Sequence, residues 1–539
     1  MLRSKRGIQF VYGRYPKSQK IQNKNTASSK QSLPICEPKL LYSPNVVFPS
    51  KYGGVQSGAC AINEKGVIDS IFPSTNLDDA KNIALQRNLE LIDLGEETVL
   101  SPGLVDVHVH ISELGREWEG YYTATKAAAA GGITTLMGMP LNSIPATTTV
   151  DAFQQEIEAA GKSPLYADVG LWGGAVPSNC SSDEVLPILE ELLDVGVFGL
   201  KAFLVPLPKD AGYETVTPEA LHRASILCGQ KGKPILVHSE LMTQEEQDLQ
   251  TEKTFHGESL GSFNAHVKCR PAKWEQKAVQ VVCDLADVCH MHVVHLSDEG
   301  CLDIIEKAKS RLNRTKLLRG NLTVETCPHY LIFDLESLPH GDTRFKCFPP
   351  IREKENQRIL WRRGLLGTHN DYGSTLIDMI ASDHSPCTPD LRLREDRNVR
   401  KAWGGLTGLQ YQLPATYTSL DSIIKEEHGL EYDEKSRLYM LSKWWSEEPS
   451  KLVPGLSRVK GQIEIGSNAD LCAWNPHYLN RPCNYSQEHH RWKGDCAYTD
   501  MNLKGRVMKT YLRGVEVYDG EKDCFPIEDG GAGSMMICK

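Results

Sequence analysis

What this chain of 539 residues lacks narrows its class before any motif is read. No run approaches 18 apolar residues, so no membrane-spanning helix and no membrane partner are expected. Basic residues form no stripe: 60 Lys and Arg stand against 69 Asp and Glu, a net charge of -9, which argues against a nucleic-acid partner. None of the 16 cysteines falls in Cys-x-x-Cys spacing, so reduced thiols in an intracellular enzyme fit better than a zinc finger or a disulfide framework. Between Met1 and Cys36 there is no acidic residue, while eight Lys or Arg occur, and no apolar core for secretion is present. That segment reads as a disordered basic tail on a cytoplasmic enzyme, with a mitochondrial presequence as the alternative. The final Ile537-Cys538-Lys539 is not a peroxisomal Ser-Lys-Leu signal.

What is present is a series of apolar runs, each ending in a residue suited to metal chemistry. Ser101 to His110 closes on His108-Val109-His110, and side chains alternate along a strand, so both imidazoles face the same way. A pair of ordinary strand histidines is the plain alternative. Val197 to Leu204 carries Lys201 in its middle, where an ammonium is costly unless paired or neutralised. A neutral Lys201 amine can capture carbon dioxide and become a carbamate able to bridge two cations; a snorkelling edge lysine is the alternative. Pro234 to His238 and Met291 to His295 each end in a histidine before polar loop residues. His290 and His292 compete with His295, which is preferred because the strand gives way to a loop there. Leu376 to Pro386 delivers Asp383 at a strand end, where it acts either as a helix cap or as ligand and proton carrier.

Eight apolar runs, five of them bearing or leading into these residues, alternate with helical patterns: Leu104 to His110, Ile133 to Met139, Ala167 to Trp172, Gly196 to Phe203, Ile235 to His238, His292 to His295, Leu322 to Thr326 and Leu376 to Ser382. Helices are expected over Thr123 to Gly131, Ser182 to Asp194 and Pro271 to Leu285. Regular alternation predicts a parallel sheet, and eight repeats predict closure into an α/β (β/α)8 TIM-like barrel. The chemistry-bearing residues then share its C-terminal mouth.

The order His-x-His, barrel lysine, His, His, Asp resembles the two-metal cyclic amidohydrolases, which include dihydroorotases, hydantoinases with dihydropyrimidinases, and allantoinases. Glu113 to Gly120, Ala127 to Thr135, Met139 to Thr147, Thr326 to Tyr330, Lys346 to Arg352 and Ala381 to Cys387 resemble the allantoinase branch in particular. The similarity spans about residues 45 to 520. It implies two divalent metal ions, zinc or else manganese or cobalt, bridged by carbamylated Lys201. His108, His110 and Asp383 would hold one and His238 and His295 the other. It further implies hydrolysis of allantoin to allantoate, with Asp383 carrying the proton from the attacking water to the departing ring nitrogen. The backbone of Phe348 and of Gly405 would contact the ring amide, while His329 either lines the pocket or packs behind it.

The same resemblance implies that both chain ends pair into a small β-sandwich domain. The expected partition is 1–40 basic extension, 41–102 first part of the β domain, 103–448 barrel, and 449–539 second part with the C-terminal tail. A homo-oligomer, tetramer or dimer, is the family expectation. Departures stand out at Ser112, the place where dihydroorotases carry an arginine for the substrate carboxylate, at Leu114, where relatives more often have a proline, and at Phe348, where a small polar residue is more usual. The alternatives are a hydantoinase or dihydropyrimidinase on another cyclic ureide, a non-catalytic scaffold relative, and a one-metal deaminase-type enzyme that would not need Lys201. Residues 477–500, rich in His, Asn and Arg, are either a surface loop or an interface segment.

Overall fold

A computed structural model describes residues 8–11, 35–208, 211–315, 321–368, 375–427, 431–481, 485–527 and 531–539. The eight expected runs form the strands of one barrel. They are Leu104–Val109, Ile133–Gly138, Asp168–Leu171 continued by Gly173–Gly174, Leu200–Phe203, Ile235–His238, His290–Val293, Asn321–Thr326 and Met379–Ile380, called strands 1 to 8. Neighbouring strands pair in parallel, and a parallel bridge from Val109 to His384 closes strand 8 onto strand 1. Because helices cover the outside, the strands are buried on both faces and read as continuous apolar runs rather than alternating ones. Val105, Val107, Met137, Trp172, Phe198, Leu236, Val294 and Met379 fill the interior.

The outer helices begin and end where local chemistry says they should. Pro218–Lys231 starts with Pro at its first position behind Thr217, whose hydroxyl accepts from the Ala220 N–H, and it stops at left-handed Gly232. Tyr121–Ala130, Leu186–Val195 and Ala272–Leu285 match the expected helices within a few residues, the second beginning late, at Leu186, with Pro187 in its first turn. Strand 8 is regular over Met379–Ile380 alone, shorter than expected. Asp378 turns its carboxylate back to accept from the Val324 N–H at 2.8 Å and from Lys309 at 2.7 and 2.8 Å.

Both chain ends meet in one sheet, in the order Val515–Asp519, Leu503–Leu512, Leu471–Asn480, Val99–Pro102, Lys39–Val47, Val55–Ile62 and Ile68–Pro73, with Glu90–Asp93 on the side. The join is the antiparallel pairing of Leu471–Asn480 with Val99–Pro102. Leu41, Phe48, Ile62, Leu100, Leu471 and Tyr511 pack together as its core.

Two segments lie elsewhere than the sequence-based partition places them. Ile8–Val11, within the stretch expected to be a disordered tail, forms a strand antiparallel to Met535–Cys538; the rest of 1–34 lies outside the described residues. Met535–Cys538, in the stretch expected to be small β domain and C-terminal tail, joins the barrel, between Val169 of strand 3 and Gly196. Four consecutive buried residues, Met-Met-Ile-Cys, require an apolar seat, and the barrel's N-terminal end supplies one.

Candidate active site

Strand 1 delivers His108 and His110 to the C-terminal mouth, and the loop after strand 8 brings Asp383 to both. Each Nε2 lies 3.3 Å from the same Asp383 Oδ1. Strand 5 ends in His238, whose Nδ1 faces His295 Nε2 at 2.9 Å. Lys201, in strand 4, is completely buried, has no hydrogen-bond partner for its Nζ, and sits 5.1 Å from the centre of the Phe203 ring. All six residues line one cavity of ≈ 440 Å³ together with Leu141, Asn142, Phe348, Trp403 and Gly405.

Burial decides the protonation states. It drives the His108 and His295 imidazoles well below their ordinary value, and neighbouring cations and imidazoles add to the effect. For His238, burial outweighs the opposite pull of Glu240. Neutral imidazoles are the form that ligates a metal. Burial also lowers the Lys201 ammonium to about 8, against the pull of Glu325 and Asp383. His108, His110 and Asp383 offer three ligand atoms within 4.8 Å of one another. Imidazole nitrogens, a carboxylate and an orphaned buried amine lining one cavity fit divalent cations of the zinc, manganese and cobalt type.

Behind these residues stands a layer that sequence reasoning missed. Glu325 of strand 7 is fully buried inside the barrel; Oε1 lies 2.5 Å from His108 Nδ1 and accepts from the His295 N–H at 3.2 Å, while Oε2 lies 3.0 Å from His292 Nε2. Such a partner fixes which nitrogen of His108 faces the cavity. The competing histidines are thereby occupied, His292 by Glu325 and Thr323 and His290 by Thr323. Asp106 Oδ1 accepts from the N–H groups of His108 and Ser382, tying strand 1 to strand 8. Glu240 faces His238 Nε2 at 2.9 Å and receives a two-pronged contact from Arg270. The readable signal for Glu325 was a carboxylate inside an apolar barrel strand, Val324-Glu325-Thr326, which cannot be solvated there.

The loops at the mouth are held in uncommon backbone conformations. Ser112, Asn142, His295 and Asp383 have φ values of 52°, 66°, 39° and 45°. Left-handed non-glycine residues cost on the order of 1–3 kcal/mol each and persist only where the surroundings enforce them. Gly405 has φ 150°, and a Cβ there would stand 2.4 Å from the Ser385 carbonyl oxygen. Its N–H already donates to the Lys346 carbonyl at 2.8 Å and its carbonyl accepts from Arg392 at 2.5 Å. Only a carbonyl lone pair therefore remains for a substrate. His329 is buried with neither ring nitrogen hydrogen-bonded, outside the residues that line the cavity.

The segment at 485–500 belongs to this mouth. Asp495 accepts from buried Arg392 at 2.9 to 3.1 Å and from the Thr407 hydroxyl at 2.9 Å. The Arg491 N–H donates to Glu119, whose other oxygen lies 3.1 Å from His384 Nε2, next to Asp383.

The amidohydrolase family profile matches residues 99–329. Allantoinase of Arabidopsis thaliana is 38% identical over 487 residues, covering 88% of this chain and 87% of its own length. This chain belongs to the amidohydrolase family, in its allantoinase branch. Allantoinase of Streptomyces avermitilis is 37% identical, covering 89% of this amidohydrolase and 96% of the relative. L-hydantoinase (dihydropyrimidinase) from Arthrobacter aurescens superposes with a TM-score of 0.75 at 24% identity, over 92% of this chain and 99% of that one, which speaks for the fold.

Proposed function

We propose that this amidohydrolase is an allantoinase that opens the hydantoin ring of allantoin to give allantoate, with its own metal ligands in the roles their positions favour. His108, His110 and Asp383 would hold one divalent cation and His238 and His295 a second, and Lys201 would serve both as its carbamate. The observation that carries the reading is the convergence of five ligand-type side chains and an unpartnered buried amine on one cavity, in a chain with relatives at 37% and 38% identity that carry the name allantoinase. Divalent cations held there would supply Lewis acidity, enough to lower the pKa of a bound water to roughly 7 and to polarise an amide carbonyl.

The chain's own residues do the rest. Asp383 accepts the proton of the attacking water and delivers it to the ring nitrogen as the carbon–nitrogen bond breaks, a general base that becomes a general acid. Glu325 keeps His108 in one orientation, and Glu240 does the same for His238. The Phe348 backbone and the remaining Gly405 lone pair position the ring amide. A homo-oligomer, tetramer or dimer, is the proposed assembly. The cytoplasm is the proposed compartment, with mitochondria as the alternative; one relative is named mitochondrial allantoinase, from Aquarana catesbeiana. Among the described residues no helix is long and apolar enough to cross a membrane.

The test is allantoate production by protein purified with bicarbonate and zinc or manganese, beside hydantoin, dihydrouracil and dihydroorotate. Allantoin turnover that a chelator abolishes supports the reading. Preference for dihydrouracil or hydantoin would keep the site and move the substrate; no turnover of any ring by metal-replete protein would favour a scaffold.

A further inference from the structure

Lys346 is a buried lysine that the chemistry above leaves without a task. It lines the same cavity as the ligand residues, with 4% of its surface exposed. Its Nζ donates to the carbonyls of Arg400 at 3.1 Å and Ala402 at 2.6 Å and lies 5.2 Å from the centre of the Phe348 ring. Among the described residues no carboxylate pairs with it. The neighbouring guanidinium groups are committed elsewhere, Arg270 to Glu240 and Arg392 to Asp495. Arg400 and Lys401, also on the cavity, are exposed at its rim.

An ammonium has three N–H donors and no acceptor. Two are used by main-chain carbonyls, and these hold the side chain in place. The backbone completes the clamp, because the Lys346 carbonyl accepts the Gly405 N–H at 2.8 Å. Burial and the nearby Arg270 hold the Lys346 ammonium down to about 7, and its third N–H, on a cavity where Leu141, Phe203, Leu207, Phe348 and Trp403 stand beside the ligand residues, Asn142 and Ser385, is poorly satisfied until an oxygen acceptor enters.

We propose that Lys346 is a specificity-determining residue that reads the ring's substituent, its open N–H binding the carbonyl oxygen of a ureido group while the ligand cluster engages the ring amide. The inference rests on the allantoinase reading and adds the group that separates allantoin from an unsubstituted hydantoin. A site that donates to a substrate oxygen discriminates strongly against an analogue lacking it, because the buried donor is then left without a partner.

Metal-loaded wild type and Lys346→Met are compared by kcat/KM on allantoin and by hydantoin as substrate and as competitive inhibitor of allantoin turnover. Loss of one charged hydrogen bond predicts a fall of about 30- to 100-fold on allantoin and a far smaller change for hydantoin, so that the preference between the two collapses. Equal losses on both rings, or an unchanged preference, would overturn the assignment. Lys346→Gln, which keeps a donor for the Arg400 and Ala402 carbonyls, carries the same test if the methionine variant does not fold: a selective loss supports the proposal and an unselective one defeats it. A wild-type protein that leaves allantoin untouched refutes the allantoinase reading itself, whereas an active wild type with no selective loss refutes this inference alone.

Discussion

The two ends of the barrel differ in whether every buried polar group finds a partner. At the N-terminal end, where the barrel meets the small sheet, Asp168 accepts from Lys460 at 2.7 Å, from Arg513, and from the Ser534 N–H at 2.9 Å. Asp470 accepts from the same Lys460 and, at 2.7 Å, from the Arg513 N–H. This cluster joins strand 3, the small sheet and the C-terminal strand into one ionic knot. At the C-terminal end, Lys201 has no hydrogen-bond partner and His238 and His295 face each other at 2.9 Å. Completed pairing holds structure together, whereas incomplete pairing marks a place where something binds.

The contrast is broken most forcefully at Lys201. Replacing it with alanine is expected to lower kcat by about a thousandfold or more, the scale set by removing one preorganised catalytic group. Elemental analysis should show fewer than two metal ions per chain, and short carboxylates should restore part of the activity. Full activity without Lys201 would leave the bridging carbamate with no role and favour a one-metal enzyme.

Glu325 tests whether the layer behind the ligands belongs functionally to the mouth. Glu325→Gln keeps the shape but weakens the hold on His108, and a loss of about 10- to 100-fold in metal affinity or activity is expected. Metal titration followed by turnover assays measures it; unchanged affinity and rate would make Glu325 a packing residue.

How much of this was legible in the sequence depended on locality. His108 and His110 are two residues apart, and a period of two puts both on one face whatever surrounds them. Lys201 lies inside an apolar run and His238, His295 and Asp383 each close one, so a barrel topology is enough to bring them together. His295 nevertheless lies beyond its strand, which ends at Val293, because a left-handed turn aims it. Glu325 and Asp106 stayed hidden, since an acidic residue within a strand resembles the polar half of an alternating pattern until both faces prove to be buried. Arg392 and Asp495 are 103 positions apart, with no local signature, and the role of 485–500 emerges only when the chain is folded. The partition failed at the extreme ends for a similar reason: Met535–Cys538 is a short apolar run whose destination, the foot of strand 3, is specified by a distant vacancy between strands.

At the opposite pole, Asp168→Asn should separate stability from chemistry. Removing one member of a buried, paired charge cluster typically costs about 3–5 kcal/mol, so urea unfolding should shift by that amount. Allantoin turnover by the folded variant, assayed at 25 °C, should stay within about threefold of wild type, the range expected where no group that touches substrate has changed. A large fall in kcat with unchanged stability would erase the distinction between the two ends.

The smallest expected effect is on the acid limb of stability. Burial pushes the Asp168 carboxyl up, but Arg513 and Lys460 outweigh it and hold it below its ordinary value. A depressed folded-state pKa means that the unfolded chain takes up the proton first. The ionised group thus contributes its full stability above the ordinary carboxylate value of about 3.9 and loses it as pH falls through the lower folded value. The difference in unfolding free energy between wild type and Asp168→Asn should accordingly hold steady from about pH 7 to 5 and shrink below about pH 4. A difference that shrinks already near pH 6 would place the controlling titration elsewhere. One that persists undiminished at pH 3 would mean that the knot acts through shape and hydrogen bonding rather than through charge.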